Sequence, residues 1–295
     1  MQHNNPGQPT LPDMPPALEP GLYIVATPIG NLGDLSPRAA AILAGVALIA
    51  AEDSRVTAKL LRHIGARVPM QSYHDHSAEG LRPALVARAL AEPIALVSDA
   101  GTPLISDPGY KLVRDARAAG VNIVTIPGPC AAVAALTLAG LPTDRFLFAG
   151  FLPSKQGARA TAIAELAPIR ATLVLYESGP RLAACLAALY AGLGDRQAAI
   201  AREISKRFEE TVTGSLSELA ARYENAAPRG EIVITIAPPG EPPPADADTL
   251  DSALTAALAA ATLKSAVAHV SAALGLPRAA VYARALELKA GSGKN

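Results

Sequence analysis

From Gly21 onward, short apolar runs alternate with segments that carry helix start and stop signals. Strand-length runs stand at Leu22–Ala26, Val46–Ala51, Ile94–Val97, Val121–Ile126, Phe146–Ala149, Thr172–Tyr176, Ala198–Ala201 and Ile232–Ile236. Between them, Ser36 precedes Pro37, a cap residue ahead of proline at the first helical position, and Gly45 ends that helix. Ser54 to Ile64 stops at Gly65, and Asp107-Pro108 opens a helix that Gly120 closes. This alternation predicts an α/β fold, with mostly parallel sheet and crossover helices.

The 295 residues have room for two ordinary domains and a short appendage. Half the chain is apolar but only 4% is aromatic, and there is no Trp, so Ala, Leu, Val and Ile must build the core. Zero net charge argues against a strongly basic nucleic-acid sleeve and leaves room for a local basic patch. Two cysteines far apart, Cys130 and Cys185, make neither a disulfide framework nor a zinc ribbon and point to a reducing cytoplasm. No run is long enough to span a bilayer. Met1 to Pro20 lacks an apolar signal core and reads as a disordered tail. The stretch Pro238 to Pro244 is a proline-stiffened linker. Beyond it, Leu263 to Leu274, Gly275, and Pro277 to Leu288 read as two helices joined by a tight turn, part of a helical appendage.

Polar residues cluster where strands end: Glu52-Asp53-Ser54-Arg55, Asp99 to Pro103, Pro127-Gly128-Pro129-Cys130, Glu177-Ser178 and Arg202-Glu203. A parallel sheet brings such ends to one edge, where α/β proteins bind ligands. The first strand leads into Thr27-Pro28-Ile29-Gly30-Asn31-Leu32-Gly33-Asp34-Leu35, with Asp34 a cap for the following turn. There is no GxGxxG and no GxxxxGK[ST], so neither a dinucleotide fingerprint nor a phosphate loop is supported. His74 and His76 read as a surface strand end, and no metal is expected. Cys130 reads as a small lining residue, not a nucleophile. Lys206-Arg207-Phe208-Glu209-Glu210 is either a solvated face or a phosphate-binding surface. In the second case Lys155, Arg159 and Arg170 extend it, with Phe208 packed beneath or stacked on a base.

Several of these segments resemble one family. They are Thr27–Leu32, Ala51–Arg55, Asp99–Gly109, Pro127–Pro129, Gly140-Leu141-Pro142-Thr143-Asp144-Arg145-Phe146 and Lys206–Glu210. In order and with short gaps, they are similar to the ribosomal RNA small-subunit methyltransferase I family, of tetrapyrrole-methylase-like fold. The match runs from about Gly21 to Ala237, and Leu263 to Leu288 resembles that family's C-terminal helices. The resemblance implies two α/β domains (21–128 and 129–238), a linker (239–247) and the appendage (248–295). It implies S-adenosylmethionine in the cleft, 2′-O-methylation of a cytidine ribose in 16S ribosomal RNA within the small subunit, and a homodimer. Carried over by motif, Pro28 and Gly30 line the cofactor pocket, and Asp99, Ala100, Gly101, Thr102 and Pro103 meet its methionine or ribose. Pro129, Cys130 and Ala131 pack near the adenosine, while Glu203, Gly230 and Glu231 close the far wall. Two positions depart from the family: Cys130 replaces a usual Ser, and Glu177-Ser178-Gly179-Pro180-Arg181 lacks a His.

Methyl transfer from a sulfonium is an in-line displacement in which positioning supplies much of the acceleration. A ribose hydroxyl is a weak acid and needs a base or a nearby cation. Asp53 and Glu177 are the candidate bases. Arg55 and Lys206 are the candidate cations, with Lys206 and Arg55 preferred at the acceptor side. Lys155, Arg159, Arg181, Lys206, Arg207 and Phe208 are the expected RNA contacts. The competing readings are a methyltransferase acting on a tetrapyrrole or other small metabolite, and a non-catalytic assembly factor.

Overall fold

The computed structural model describes residues 18–74, 80–240 and 247–292. The expected tail up to residue 17, Asp75, His76 and most of the linker lie outside the described residues.

The first sheet holds β1 (Gly21–Val25), β2 (Leu48–Ala51), β3 (Met70–Ser72), β4 (Pro93–Val97) and β5 (Ile123–Ile126), in the order β3-β2-β4-β1-β5. All its pairings are parallel. Helices α1 (Pro37–Gly45) and α2 (Ser54–His63) lie on one side, over Val25, Ile49 and Val97. The helices α3 (Leu81–Ala89) and α4 (Tyr110–Ala118) lie on the other, over Leu22, Leu48 and Ile94. Burial on both faces is why the inner strands read as continuous apolar runs. Ser36 caps α1 by accepting from the Ala39 amide at 3.1 Å. The fourth helix starts later than its sequence signal: Gly109, at φ 132°, is its cap, which leaves Asp107 and Pro108 in the loop.

After α5 (Ala131–Ala139) comes the second sheet. Its strands are β6 (Phe146–Phe151), β7 (Thr172–Ser178), β8 (Gln197–Arg202), β9 (Glu210–Ser215) and β10 (Glu231–Ile236), in the order β6-β7-β10-β8-β9. Here the expectation of mostly parallel sheet fails. Only β6 and β7 pair in parallel; the other three pairings are antiparallel. The loop 203–209 joins β8 to β9, and β10 slots between β7 and β8 in the opposite direction. Strands β3 and β9 escaped sequence reading because edge strands with one wet face need no apolar run; β9 carries a single large apolar side chain, Val212. Helix α5 covers one face of this sheet through Ala132, Ala135 and Leu136. The helices α6 (Gln156–Leu166), α7 (Gly179–Leu193) and α8 (Leu216–Tyr223) cover the other, around Leu173, Leu175 and Leu186.

A separate compact unit begins at Pro239. It contains α9 (Ala247–Ala260), α10 (Leu263–Leu274) and α11 (Arg278–Ser292), packed on Leu254, Val267, Val270, Val281 and Ala285. Gly275, at φ 66°, terminates α10 as its sequence predicts. Arg284 ties α11 to Asp251 of α9 at 2.6 Å. Among the described residues, no helix is long and apolar enough to cross a membrane.

Candidate active site

Because the first sheet is parallel, β1, β2, β4 and β5 deliver their following loops to one edge. Backbone bonds between Thr27 and Gly101, at 2.8 and 3.0 Å, join the loops after β1 and β4. The Asp53 amide donates to Asp99 Oδ1 at 2.9 Å, and the Asp99 amide donates to Glu52 Oε2 at 3.2 Å. Thr102 Oγ1 donates to the Pro129 carbonyl at 2.9 Å, tying in the loop after β5. In the second sheet β7 and β8 both run against β10. Their ends therefore meet its beginning, with Ser178 opposite Glu231 and Arg202 opposite Ile232.

The two sets of loops touch. Ser205 Oγ donates to Asp34, so Asp34 reaches the other sheet's loop while Asn31 caps the local turn. Gly30 sits flat against Lys206: a Cβ there would lie 2.3 Å from Lys206 Cγ. Four described non-glycine residues have positive φ: Leu104, Ser106, Glu203 and Ser205. All four stand in the loops after β4 and β8, and strain gathered in this way is typical of functional loops.

Between these loops lies a cavity of 320 Å³. Its charged lining is entirely acidic: Glu52, Asp99, Asp107, Glu177 and Glu231, with no Lys or Arg among the described lining residues. Its apolar walls come from Ile29, Ile105, Ile204, Ile232 and Val233, and its aromatic wall from Phe151 and Tyr176. Of the residues expected from sequence, Asp99, Ala100, Gly101, Thr102, Cys130, Ala131, Glu177, Gly230 and Glu231 line it. Pro28, Gly30, Pro103, Pro129 and Glu203 are not among the described lining residues. Glu203 accepts from the Glu231 amide at 3.1 Å and fills the space a side chain at Gly230 would need.

The four expected catalytic residues have different surroundings. Asp53 caps α2 and pairs with Arg55 at 2.6 Å, away from the cavity lining. That guanidinium's hydrogen bonds hold the Asp53 carboxyl at about 2, which makes it a poor proton acceptor. Lys206 bridges Glu203 at 3.1 Å and Glu231 at 2.9 Å. Burial pulls its ammonium down, but those carboxylates outweigh burial and hold it above the usual lysine range. It is thus a neutralised cross-link between two strands' ends. Glu177 is fully buried, with Oε1 on the Ser178 amide at 2.8 Å and 3.1 Å from Arg181 Nε.

The residues expected to contact RNA also differ in their surroundings. The Arg181 guanidinium pairs with Glu177 and donates to the Leu152 carbonyl at 2.5 Å, while 34% of its side chain stays exposed. Arg159 is half-buried, with a covered Nε. Lys155 is exposed at the start of α6. Arg207 lies over the Phe208 ring at 5.5 Å, and that ring is 66% exposed.

Sequence reading missed Asp107, Phe151, Tyr176 and Ile204 as lining residues. Asp107 stands in the Asp99–Gly109 loop, where its sequence setting predicts a helix opener. Burial raises its carboxyl to about 6, helped by the charges of Glu52, Asp99 and Glu231 and opposed by a hydrogen bond from Ser98. Tyr176 is pushed up by burial and then by Cys130; its oxygen accepts from the Ala132 amide at 3.2 Å.

Known proteins resemble this arrangement. Residues 21–220 match the family model of tetrapyrrole (corrin/porphyrin) methylases, and residues 243–289 match the RsmI C-terminal HTH domain. A ribosomal RNA small subunit methyltransferase I from Mesorhizobium japonicum is 47% identical, covering 98% of each chain. One from Erythrobacter litoralis is 50% identical over 98% of this chain and 100% of its own. Among solved structures, a diphthine synthase aligns with a TM-score of 0.58 at 17% identity, over 73% of this chain and 89% of its own. Uroporphyrin-III C-methyl transferase from Thermus thermophilus, complexed with S-adenyl homocysteine, aligns with a TM-score of 0.50 at 21% identity, over 73% and 96%. On the near full-length identity to such relatives, this chain belongs to the ribosomal RNA small subunit methyltransferase I family, within the tetrapyrrole methylases.

Proposed function

We propose that this chain transfers the methyl group of S-adenosylmethionine to the 2′-oxygen of a cytidine ribose in 16S ribosomal RNA of the small subunit. The observation that carries the reading is the cavity's lining: acidic groups set in apolar walls, with no Lys or Arg among the described lining residues. Such a site suits a ligand with cationic groups and a flat apolar heterocycle, and it repels a phosphate-bearing cofactor. Membership of a small-subunit RNA methyltransferase family supports the acceptor.

In this reading Asp99, Glu52 and Glu231 attract the donor's ammonium and ribose hydroxyls. Ile204, Ile232, Val233 and Ala131 pack on its adenine. When bound, the donor supplies an electrophilic methyl group. Asp107 takes the ribose proton, since its raised carboxyl is the lining base best matched to neutral pH. Lys206, with Glu203, holds Glu231 and the loop after β8 in place. Exposed Arg207, Phe208 and Lys155 are the RNA contacts of this reading. Partly exposed Val133 and Leu138 on α5 and Phe146 on β6 support a homodimer, and a ribosomal substrate places the protein in the cytoplasm.

The test incubates labelled donor with small subunits from a strain lacking this modification, and maps alkali-resistant positions in the RNA. One resistant cytidine is expected. Label on a base, or none, would refute the proposal.

A further inference from the structure

Phe151 faces the cavity because of a defect in its strand. Along β6, Leu147 and Ala149 pack into the core under α6 and α7, while Phe148 faces the opposite side with Val174 and Tyr176. Strict alternation would send Phe151 into the core with Leu147 and Ala149. The ladder with β7 instead skips a residue. Phe148 pairs with Val174, Gly150 with Leu175, and Phe151 with Tyr176. Gly150, beside the skipped residue, takes a left-handed conformation at φ 64°. One extra residue inverts the parity and delivers Phe151 to the cavity face.

The result is a half-bare aromatic ring at the cavity rim. Phe151 meets Tyr176 edge to face at 5.7 Å, and Tyr176 meets Phe148 at 4.8 Å, so the ring is supported by packed aromatics. It still leaves 54% of its surface exposed, in a chain with only four Phe. The loop after β4 closes against the bulge: Ser106 Oγ would lie 3.1 Å from a Cβ at Gly150. Phe151 thus stands beside the segment that carries Asp107.

We propose that Phe151, held by the β-bulge and buttressed by Tyr176, is the platform on which the acceptor nucleobase stacks when its ribose enters the cavity. This rests on the RNA reading of the site. A 2′-hydroxyl can approach a buried methyl group only if its nucleotide leaves its neighbours, and an aromatic face replaces the stacking so lost. Glu52, Asp99, Glu231 and the apolar walls serve the donor; Asp107 and the open face of Phe151 serve the acceptor.

The experiment compares Phe151→Ala, Phe151→Leu and Phe151→Trp with the unaltered protein. Its readouts are kcat and KM for unmodified small subunits, donor affinity by calorimetry, and thermal midpoint. Loss of one stacked base should lower kcat/KM for subunits by about 5- to 100-fold in the Ala and Leu variants. The Trp variant should stay within about threefold, with donor affinity and midpoint unchanged throughout. Leu keeps the apolar bulk, so its failure separates stacking from packing. A parallel fall in donor affinity would assign Phe151 to the cofactor and overturn the proposal. Unchanged kcat/KM would overturn it as well, as would a lowered midpoint that accounts for the lost activity in Ala and Leu alike. If the unaltered protein fails to methylate subunit RNA, the functional reading itself has failed; if it succeeds and the variants match it, only the platform has.

Discussion

Replacing Asp107 with Asn should stabilise the protein at neutral pH while removing activity. An ordinary aspartate titrates at 3.8, and burial among Glu52, Asp99 and Glu231 lifts this one to about 6. That difference corresponds to about 3 kcal/mol between protonated and charged forms. The side chain is only partly buried, so screening reduces the value to about 1–2 kcal/mol. The sign follows from proton binding. Between 3.8 and about 6 the folded state holds the proton more tightly than the unfolded state. Stability is therefore undiminished below that window, falls as pH rises through it, and stays diminished above it. Asn keeps the shape and cannot charge. The Asp107→Asn midpoint should equal that of the unaltered protein near pH 4 and exceed it by about 3–6 °C at pH 7.5. Thermal unfolding across that range measures this, and single-turnover methylation should fall by about 100-fold or more with donor affinity retained. If the variant is no more stabilised at pH 7.5 than at pH 4, the carboxylate is not strained. If its single-turnover rate is normal, it is not the base.

Three further outcomes follow from the same geometry. Glu177→Ala leaves Arg181 without its buried partner and should cost about 3 kcal/mol in denaturant unfolding. Gly30→Ala drives a methyl group into Lys206 and should cost about 1–3 kcal/mol, with loss of donor binding by calorimetry. Lys206→Met keeps the stem against Gly30 but removes the charge beside Glu203. The folded-state Glu203 carboxyl lies below its ordinary 4.5, so its contribution is present above that pH and lost as pH falls. The midpoint deficit of Lys206→Met should accordingly be larger at pH 7 than at pH 3.5.

Much of the frame was legible because it obeys local rules. Ser36-Pro37, the stop at Gly65 and the Gly275 turn work within one helical turn of chain, and they stand where their chemistry puts them. The inner strands were visible because burial on both faces demands unbroken apolar runs. Strands β3 and β9 were hidden because an edge strand needs only one dry face. The polar segments at the ends of β4, β5 and β7 stand out in the sequence, and seven residues expected in them line the cavity, with Gly230 and Glu231 at the start of β10. Charge pairing was not legible. Asp53 and Arg55 satisfy each other, Lys206 is held between two glutamates, and Arg181 pairs with Glu177, because ion pairs form between residues 2 to 25 positions apart.

The order of amino acids by itself determined the α/β class, the ends of several helices, the polar loops at the strand ends and the helical tail. Each depends on neighbours along the chain or on a period of two or 3.6 residues. Only the tertiary structure decided strand direction in the second sheet, the exclusively acidic lining of the cavity, the raised affinity of Asp107 for its proton and the aim of Phe151. Those depend on distances through space, where a single bulged residue or one buried carboxylate more changes what a side chain faces and what charge it can bear.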